Sequence, residues 1–270
     1  MTNDDRSSIR KVAEDFLLAH RFGVPPLNTD DALEAQGLHI EQLSLDELLA
    51  SVELPAKESA RIQAMLDTRG RFIVLREGLH AQQRAWGRLH EIGHDALPWH
   101  RDLLYHCPLL WLPQNQQRKM ELEADAFAAE VAFFGHQFQD MVSRLPFGLQ
   151  AAVTLATETY GMSLHSTIFH YAQTCDRPCT LLVWEIVRDS SGLNVQGYRL
   201  QHYIRSEVHG GPMVRQGQSV GTKHVVSRAY LESCGEVVPH RLSFGEEDGV
   251  EYDAQSFSNS YKVFTLVTPK

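Results

Sequence analysis

His90-Glu91-Ile92-Gly93-His94-Asp95 is the stretch on which the reading of this chain turns. It contains His-Glu-x-x-His. In an α-helix, residues four apart lie on one face, so both imidazoles point the same way. That spacing lets both rings bind one Zn²⁺, and it leaves Glu91 beside the site to take a proton from a water the metal activates. The flanks support a helix. With Leu89 at zero on a helical wheel, Ala85, Trp86, Ile92, Gly93 and Ala96 fall within about 60° of it. His90 and His94 sit at roughly 100° and 140°, and Glu91 at roughly 200°. The imidazoles are therefore expected at the margin of a buried stripe. Pro98 is expected to end the helix.

The chain has 14 histidines, so the pentapeptide carries weight only with a third ligand. Three protein ligands leave a position open, which separates a catalytic zinc from a closed structural one. Two residues compete. Glu121 opens Glu121-Leu122-Glu123-Ala124-Asp125-Ala126-Phe127-Ala128-Ala129-Glu130, which reads as helix. With Glu121 at zero, Asp125, Ala128 and Ala132 lie within about 40°, a small-residue face that can press on another helix. Asp125 is placed to accept the free N–H of a ligating histidine. Glu123 and Glu130 fall on the opposite side and are expected to be solvated. The other candidate is His100, which has the offset of the longer signature His-Glu-x-x-His-x-x-Gly-x-x-His. There Leu97 stands where the glycine of a sharp turn is needed.

Taken together, Arg71-Phe72-Ile73-Val74-Leu75-Arg76, His90-Glu91-Ile92-Gly93-His94 and Glu121-x-Glu123-Ala124-Asp125-x-Phe127-Ala128-Ala129 resemble the ImmA/IrrE-type metallopeptidases, over roughly residues 8–172. The resemblance implies a zincin-like core, Zn²⁺ as cofactor and Glu121 as third ligand. It also implies a protein substrate, in several members a helix-turn-helix transcriptional repressor cleaved under stress. Asp125 stands where the family usually has Asn, and Val131-Ala132-Phe133-Phe134-Gly135 replaces its Leu-Met-Pro ending.

At 270 residues and 43% hydrophobic, the chain can bury a sizeable core. A net charge of −9 argues against general attraction to nucleic acid or anionic membrane. The start, Met1-Thr2-Asn3-Asp4-Asp5-Arg6-Ser7-Ser8, lacks a signal peptide's apolar segment, and no run reaches membrane-span length. A cytoplasmic location is expected. Cys107 and Cys234 are isolated, and Cys175 and Cys179 do not have redox-pair spacing.

Along the chain, Ile9, Val12, Ala13, Phe16 and Leu17 repeat with helical period, and Thr29 is placed to cap a helix ending at Gly37. A short strand follows at 38–43, then a capping box at Ser44–Glu47 and a helix at 55–66. Asp67–Gly70 reads as a turn and Arg71–Arg76 as a strand, buried on both faces or able to pair with an extended substrate. Residues 99–117 are expected to form the rim of the site, with His100, Tyr105, His106 and Trp111 as candidates to stabilise an oxyanion. Leu149–Thr159, Gly161 and a helix capped by Ser163 have helix-turn-helix form. No Lys or Arg falls between Arg144 and Arg177, which argues against direct DNA binding. From Cys179 onward strands dominate: 180–187, 195–204 and 261–267, with turns at 189–192 and 210–211. His202, His209, His224 and His240 show no ligand spacing.

The expected protein is α+β. Residues 1–140 form a zincin-like metallopeptidase domain, 141–174 a helix-turn-helix-like segment, and 175–270 a smaller β-rich domain for sensing, dimerisation or docking. His90, His94 and Glu121 hold Zn²⁺, Glu91 is the catalytic base and Asp125 supports a ligand. The alternative is a non-catalytic, metal-containing regulator that binds a repressor or another partner protein.

Overall fold

The computed structural model describes residues 2–50, 59, 62–106, 112–206, 208, 216–231, 235–243 and 251–269. The protein is α+β and divides into two compact units, one of residues 1–138 and 159–163, the other of 139–158 and 164–270. No helix among the described residues is long and apolar enough to cross a membrane.

In the first unit, α1 (Asn3–Ala19) begins on a capping box between Thr2 and Asp5 and buries Ile9, Ala13, Phe16 and Leu17. Helix α2 (Thr29–Gln36) is capped by the Asn28 side chain, one residue before the expected Thr29, and stops at Gly37 with φ +69°. Then come β1 (His39–Ile40), α3 (Leu45–Ala50), β2 (Ala64–Asp67) and β3 (Phe72–Leu75). The helix expected at 55–66 is corrected at its end, where Ala64–Leu66 are strand; 55–58, 60 and 61 lie outside the described residues.

The three strands form a sheet in the order β1-β3-β2, with β1 parallel and β2 antiparallel to β3. The Asp67 carboxylate accepts from Arg69 N and Gly70 N, which closes the β2–β3 turn. Val74 packs with Leu45 and Leu49 of α3, while Leu75 on the other face approaches Gly87. Ile73 and Val74 are both fully buried, as the run of apolar residues implied. Because β3 has a strand on each side, it cannot accept a substrate peptide. That possibility moves to β2.

Helix α4 (Ala81–Ala96) carries the His-Glu-x-x-His motif, and Pro98 opens α5 (Pro98–His106) immediately after it. Proline at a first helical position has no N–H to leave unpaired, so it starts one helix as readily as it stops another. Helix α6 (Gln114–Ala132) follows and packs against both α1 and α4. Its contact with α4 is close. A Cβ on Gly93 would lie 3.1 Å from a Phe127 ring carbon, 3.2 Å from Ala124 O and 3.3 Å from Ala124 Cα.

The single apolar stripe expected on α4 is corrected: Glu91 through Asp95 are all buried, because α6, α2 and the sheet enclose the helix from several sides. Similarly, Glu123 and Glu130 are not on a solvated face. Glu123 is buried, and Glu130 meets Arg10 of α1 at 3.3 Å. A helical wheel shows one partner; α6 has several.

Helix α7 (His136–Ser143) leads into the second unit. Next along the chain, α8 (Leu149–Thr154) continues as a π-helical turn to Tyr160, Gly161 adopts φ +62°, and α9 (Leu164–Thr174) follows, with residues 159–163 counted in the first unit. Strands β4 (Thr180–Arg188), β5 (Val195–Arg205), β6 (Ser219–Gly221), β7 (Val238–Ser243), β8 (Glu251–Ser258) and β9 (Lys262–Thr268) form one antiparallel sheet, ordered β6-β5-β4-β9-β8-β7. Helices α8 and α9 pack on this sheet: Leu149 N donates to Gln255, and His165 lies edge-on to Phe264. A 3₁₀ turn (Val225–Ser227) and α10 (Arg228–Leu231) join the core built on Leu182, Trp184, Tyr198 and Val263. The helix-turn-helix form thus exists in outline, with its second helix used for packing. The Gly210-Gly211 turn lies outside the described residues.

Two outcomes follow from this packing. Gly93→Val forces α4 and α6 apart, and it should lower the thermal midpoint by an amount equivalent to about 1–3 kcal/mol. Denaturation of the full chain measures it. The second concerns His165, stacked on Phe169 at 4.3 Å. Burial, with smaller contributions from Lys262 and His202, depresses its pKa to about 4. The unfolded chain has an imidazole near 6.5 and so binds more protons. Its contribution to stability is whole above about pH 6.5 and drains away as the pH falls toward about 4. His165→Phe should therefore flatten the fall in thermal midpoint on acidification, read by melting at a series of pH values.

Candidate metal centre

α4 and α6 bring three of the expected residues together. Ligand atoms of His90, His94 and Glu121 all lie within 4.8 Å of one another. His90 Nε2 is 3.2 Å from one Glu121 oxygen and His94 Nε2 is 3.6 Å from the other. The imidazole rings are 4.9 Å apart at 76°. His90 Nδ1 lies 2.9 Å from Asp125 Oδ1, the contact that one helical turn beyond Glu121 predicts.

Hydrogen-bond roles decide what this arrangement can hold. If His90 Nδ1–H donates to the Asp125 carboxylate, Nε2 is left with a bare lone pair facing Glu121. His94 Nε2 is buried with no hydrogen-bond partner. With both Nε2 atoms free of a proton, two imidazole nitrogens and a carboxylate converge, and a divalent cation would satisfy all three. The donor set, two His and one Glu, suits zinc with a position left open.

The surroundings are charged unevenly. Burial works against a proton on His90, but its bonds to Asp125 and Glu121 outweigh that and hold its pKa well above the usual imidazole value. Partial burial pushes the Glu121 carboxyl up, yet His90 and His94 hold it far below the ordinary carboxylate range. Glu91 is buried, and that burial raises its pKa; His90 and His94 pull the other way, and Leu66 N–H of β2 donates to it. A buried carboxyl with a raised pKa, beside the converging His90, His94 and Glu121 but outside their group, is one that can take up a proton.

His100, the other candidate ligand and rim residue, stands outside the group of converging ligand atoms and is not on a rim. It is fully buried behind His94, with Nδ1 3.1 Å from His94 Nδ1 and Nε2 2.8 Å from Glu123 Oε2. Burial and the neighbouring His94 lower its pKa to about 4. Glu123 also accepts from Trp99 Nε1 at 2.8 Å. The wheel had placed Glu123 in solvent; only the return of α5 over α6 buries it. The side chains of Tyr105 and His106, together with Trp111, lie outside the described residues.

Asp95, the last residue of the motif stretch, is also fully buried and was not anticipated as important. Its carboxylate pairs with Arg71, the residue just before β3, and accepts from Gln36 of α2; Arg71 also donates to Gln36 O. Arg71 adopts φ +61° to do so. This pins the end of α4 to the sheet. In the second unit, Cys175 and Cys179 are buried thiols hydrogen-bonded to each other, and His202, His224 and His240 join no group of ligand atoms among the described residues. Cys107, Cys234 and His209 lie outside those residues.

No family model matches the chain, and no curated protein matches it. Among solved structures it is similar to one described as a Mycobacterium tuberculosis transcriptional regulator, with a TM-score of 0.59 and 14% identity, covering 98% of this chain and 80% of that one. The likeness is one of fold.

Arg71→Leu leaves Asp95 as a buried carboxylate with no cation, hydrogen-bonded only by Gln36. It should cost about 3 kcal/mol or more in urea denaturation. Replacing both residues together, Arg71→Leu with Asp95→Leu, should cost less than the single change.

Proposed function

We propose that the protein is a zinc-dependent endopeptidase with a zincin-like core. The observation that carries this reading is the convergence of His90 Nε2, His94 Nε2 and the Glu121 carboxylate on one point beside a buried Glu91. His90, His94 and Glu121 would hold the ion, with Asp125 orienting His90. Zinc in such a site supplies Lewis acidity, lowering the pKa of a water and polarising a scissile carbonyl.

The chain's own groups do the rest. The Glu91 carboxylate, held by Leu66 N–H, takes a proton from the attacking water and delivers it to the nitrogen of the leaving amine. Strand β2 is the edge of its sheet among the described residues and runs beside Glu91, so an extended peptide can add to it as a further strand. The resemblance to ImmA/IrrE-type metallopeptidases suggests a helix-turn-helix repressor as the protein substrate, in a cytoplasmic setting. The net charge of −9 favours a protein partner over DNA.

Zinc content and cleavage of candidate repressors test this in wild type, Glu91→Gln and Glu121→Ala. One zinc per chain is expected in wild type and in Glu91→Gln, and weakened or absent zinc in Glu121→Ala. Glu91→Gln should lose cleavage by a factor of about 10² or more. Zinc with repressor binding but no cleavage, in wild type, would favour the non-catalytic regulator. No zinc in any form, even after its addition, would overturn both metal readings.

A further inference from the structure

The metal site as read above needs His94 to offer a bare Nε2, and the residues behind it bear on that. Glu123 has donors on both oxygens: Trp99 Nε1 and His100 Nε2 at Oε2, each at 2.8 Å, and Lys119 Nζ at 3.4 Å from Oε1. A carboxylate in this position can only accept, so His100 Nε2 carries its proton toward Glu123. An additional proton on His100 Nδ1 would make the ring a cation in a fully buried position, a costly arrangement. His100 Nδ1 is therefore the acceptor. The proton shared across the 3.1 Å contact then belongs to His94 Nδ1, and His94 Nε2 is left as a lone pair aimed at Glu121.

We infer that His100 and Glu123 are positioning residues for the metal: a buried relay, Glu123 to His100 to His94, that fixes the ligating tautomer of His94 and raises its basicity. The inference rests on the metal-site reading and deepens it. The two histidine ligands are backed unequally. Asp125 behind His90 has a side chain 52% exposed, whereas Glu123 is 3% exposed and His100 not at all. A hydrogen-bonded charge acts more strongly where water is excluded. The relay behind His94 should therefore matter more to the metal than Asp125 does.

The test is zinc affinity of the full chain, measured by competition with a chromophoric chelator. The visible spectrum of the Co²⁺ form and the melting of the metal-free form are recorded alongside. Glu123→Gln keeps the shape and an acceptor oxygen but removes the charge. It should weaken zinc about 10- to 100-fold. His100→Phe should do at least as much and alter the Co²⁺ spectrum, and Asp125→Asn should do less than either. Wild-type affinity and spectrum in Glu123→Gln would overturn the relay while leaving the three-ligand site standing. So would a lower melting point with unchanged affinity, which marks a purely structural contact. Failure of wild type to bind either metal would remove the site itself, and the relay with it. Should His100→Phe fail to fold, as its melting curve would reveal, Glu123→Gln decides.

Discussion

The close approach of α4 and α6 at Gly93 is the constraint on which the candidate site depends. Gly93 sits between the two histidines, against Ala124, and a side chain there would meet the α6 backbone. Small residues at a helix crossing let the backbones approach and shorten the reach of everything beside them. Glu121, one turn before Ala124, is thereby brought to 3.2 and 3.6 Å from the two imidazole nitrogens. A glutamate has enough rotamers to wander, and its side chain is half exposed. What keeps it against the two imidazoles is the short distance, with one ring nitrogen facing each of its oxygens.

The elements around this crossing serve different ends. Strand β2 reaches Glu91 through a backbone N–H, and β3 and α2 clamp Asp95. Helix α5 returns across α6 with His100 and Trp99, both bonded to Glu123. Positions 91, 94 and 95 of a single helix thus each send a polar side chain into a different neighbour. That requires α4 to be buried on several sides through its second half. The cost of burying so many polar groups is offset because nearly every one of them has a partner.

The sequence showed the local parts well and the returning parts poorly. His90, His94, Glu121 and Asp125 were legible because each pair sits one helical turn apart, and helix geometry alone decides which side chains share a face. The β2–β3 turn was legible in Asp67 and Gly70, and the double burial of β3 in its unbroken apolar run. Glu123 and Glu130 were misplaced for one reason: a wheel assigns the face opposite the first partner to solvent, and here α5 and α1 cover it. The strand at 64–67 was missed because Ala64-Met65-Leu66 suits a helix as well as a strand; pairing with β3 decides it, a non-local fact. The Asp95–Arg71 pair spans 24 residues and depends on a positive φ at Arg71, which nothing in that residue's type advertises.

The two units use their buried polar groups differently. In the second unit a polar row crosses the sheet: Trp184 Nε1 donates to Thr265, Thr265 bonds Ser256 at 2.7 Å, and Ser256 approaches His240 at 3.5 Å. These residues come from four adjacent strands, and a slip of one residue in any pairing would turn its member to the other face. The row ties four strands side by side and so serves register. Single hydroxyls of Thr180 and Tyr198 stay unpaired in that sheet, but neither belongs to a gathering of ligand atoms. The network of the first unit is different in kind. It runs inward from Lys119 and Trp99 through Glu123 and His100, and it ends at His94 Nε2, an unpaired atom that faces a carboxylate and another imidazole. A chain of hydrogen bonds that ends at an unpaired nitrogen facing a carboxylate and a second imidazole is incomplete as structure, and the cation of the proposed function would complete it.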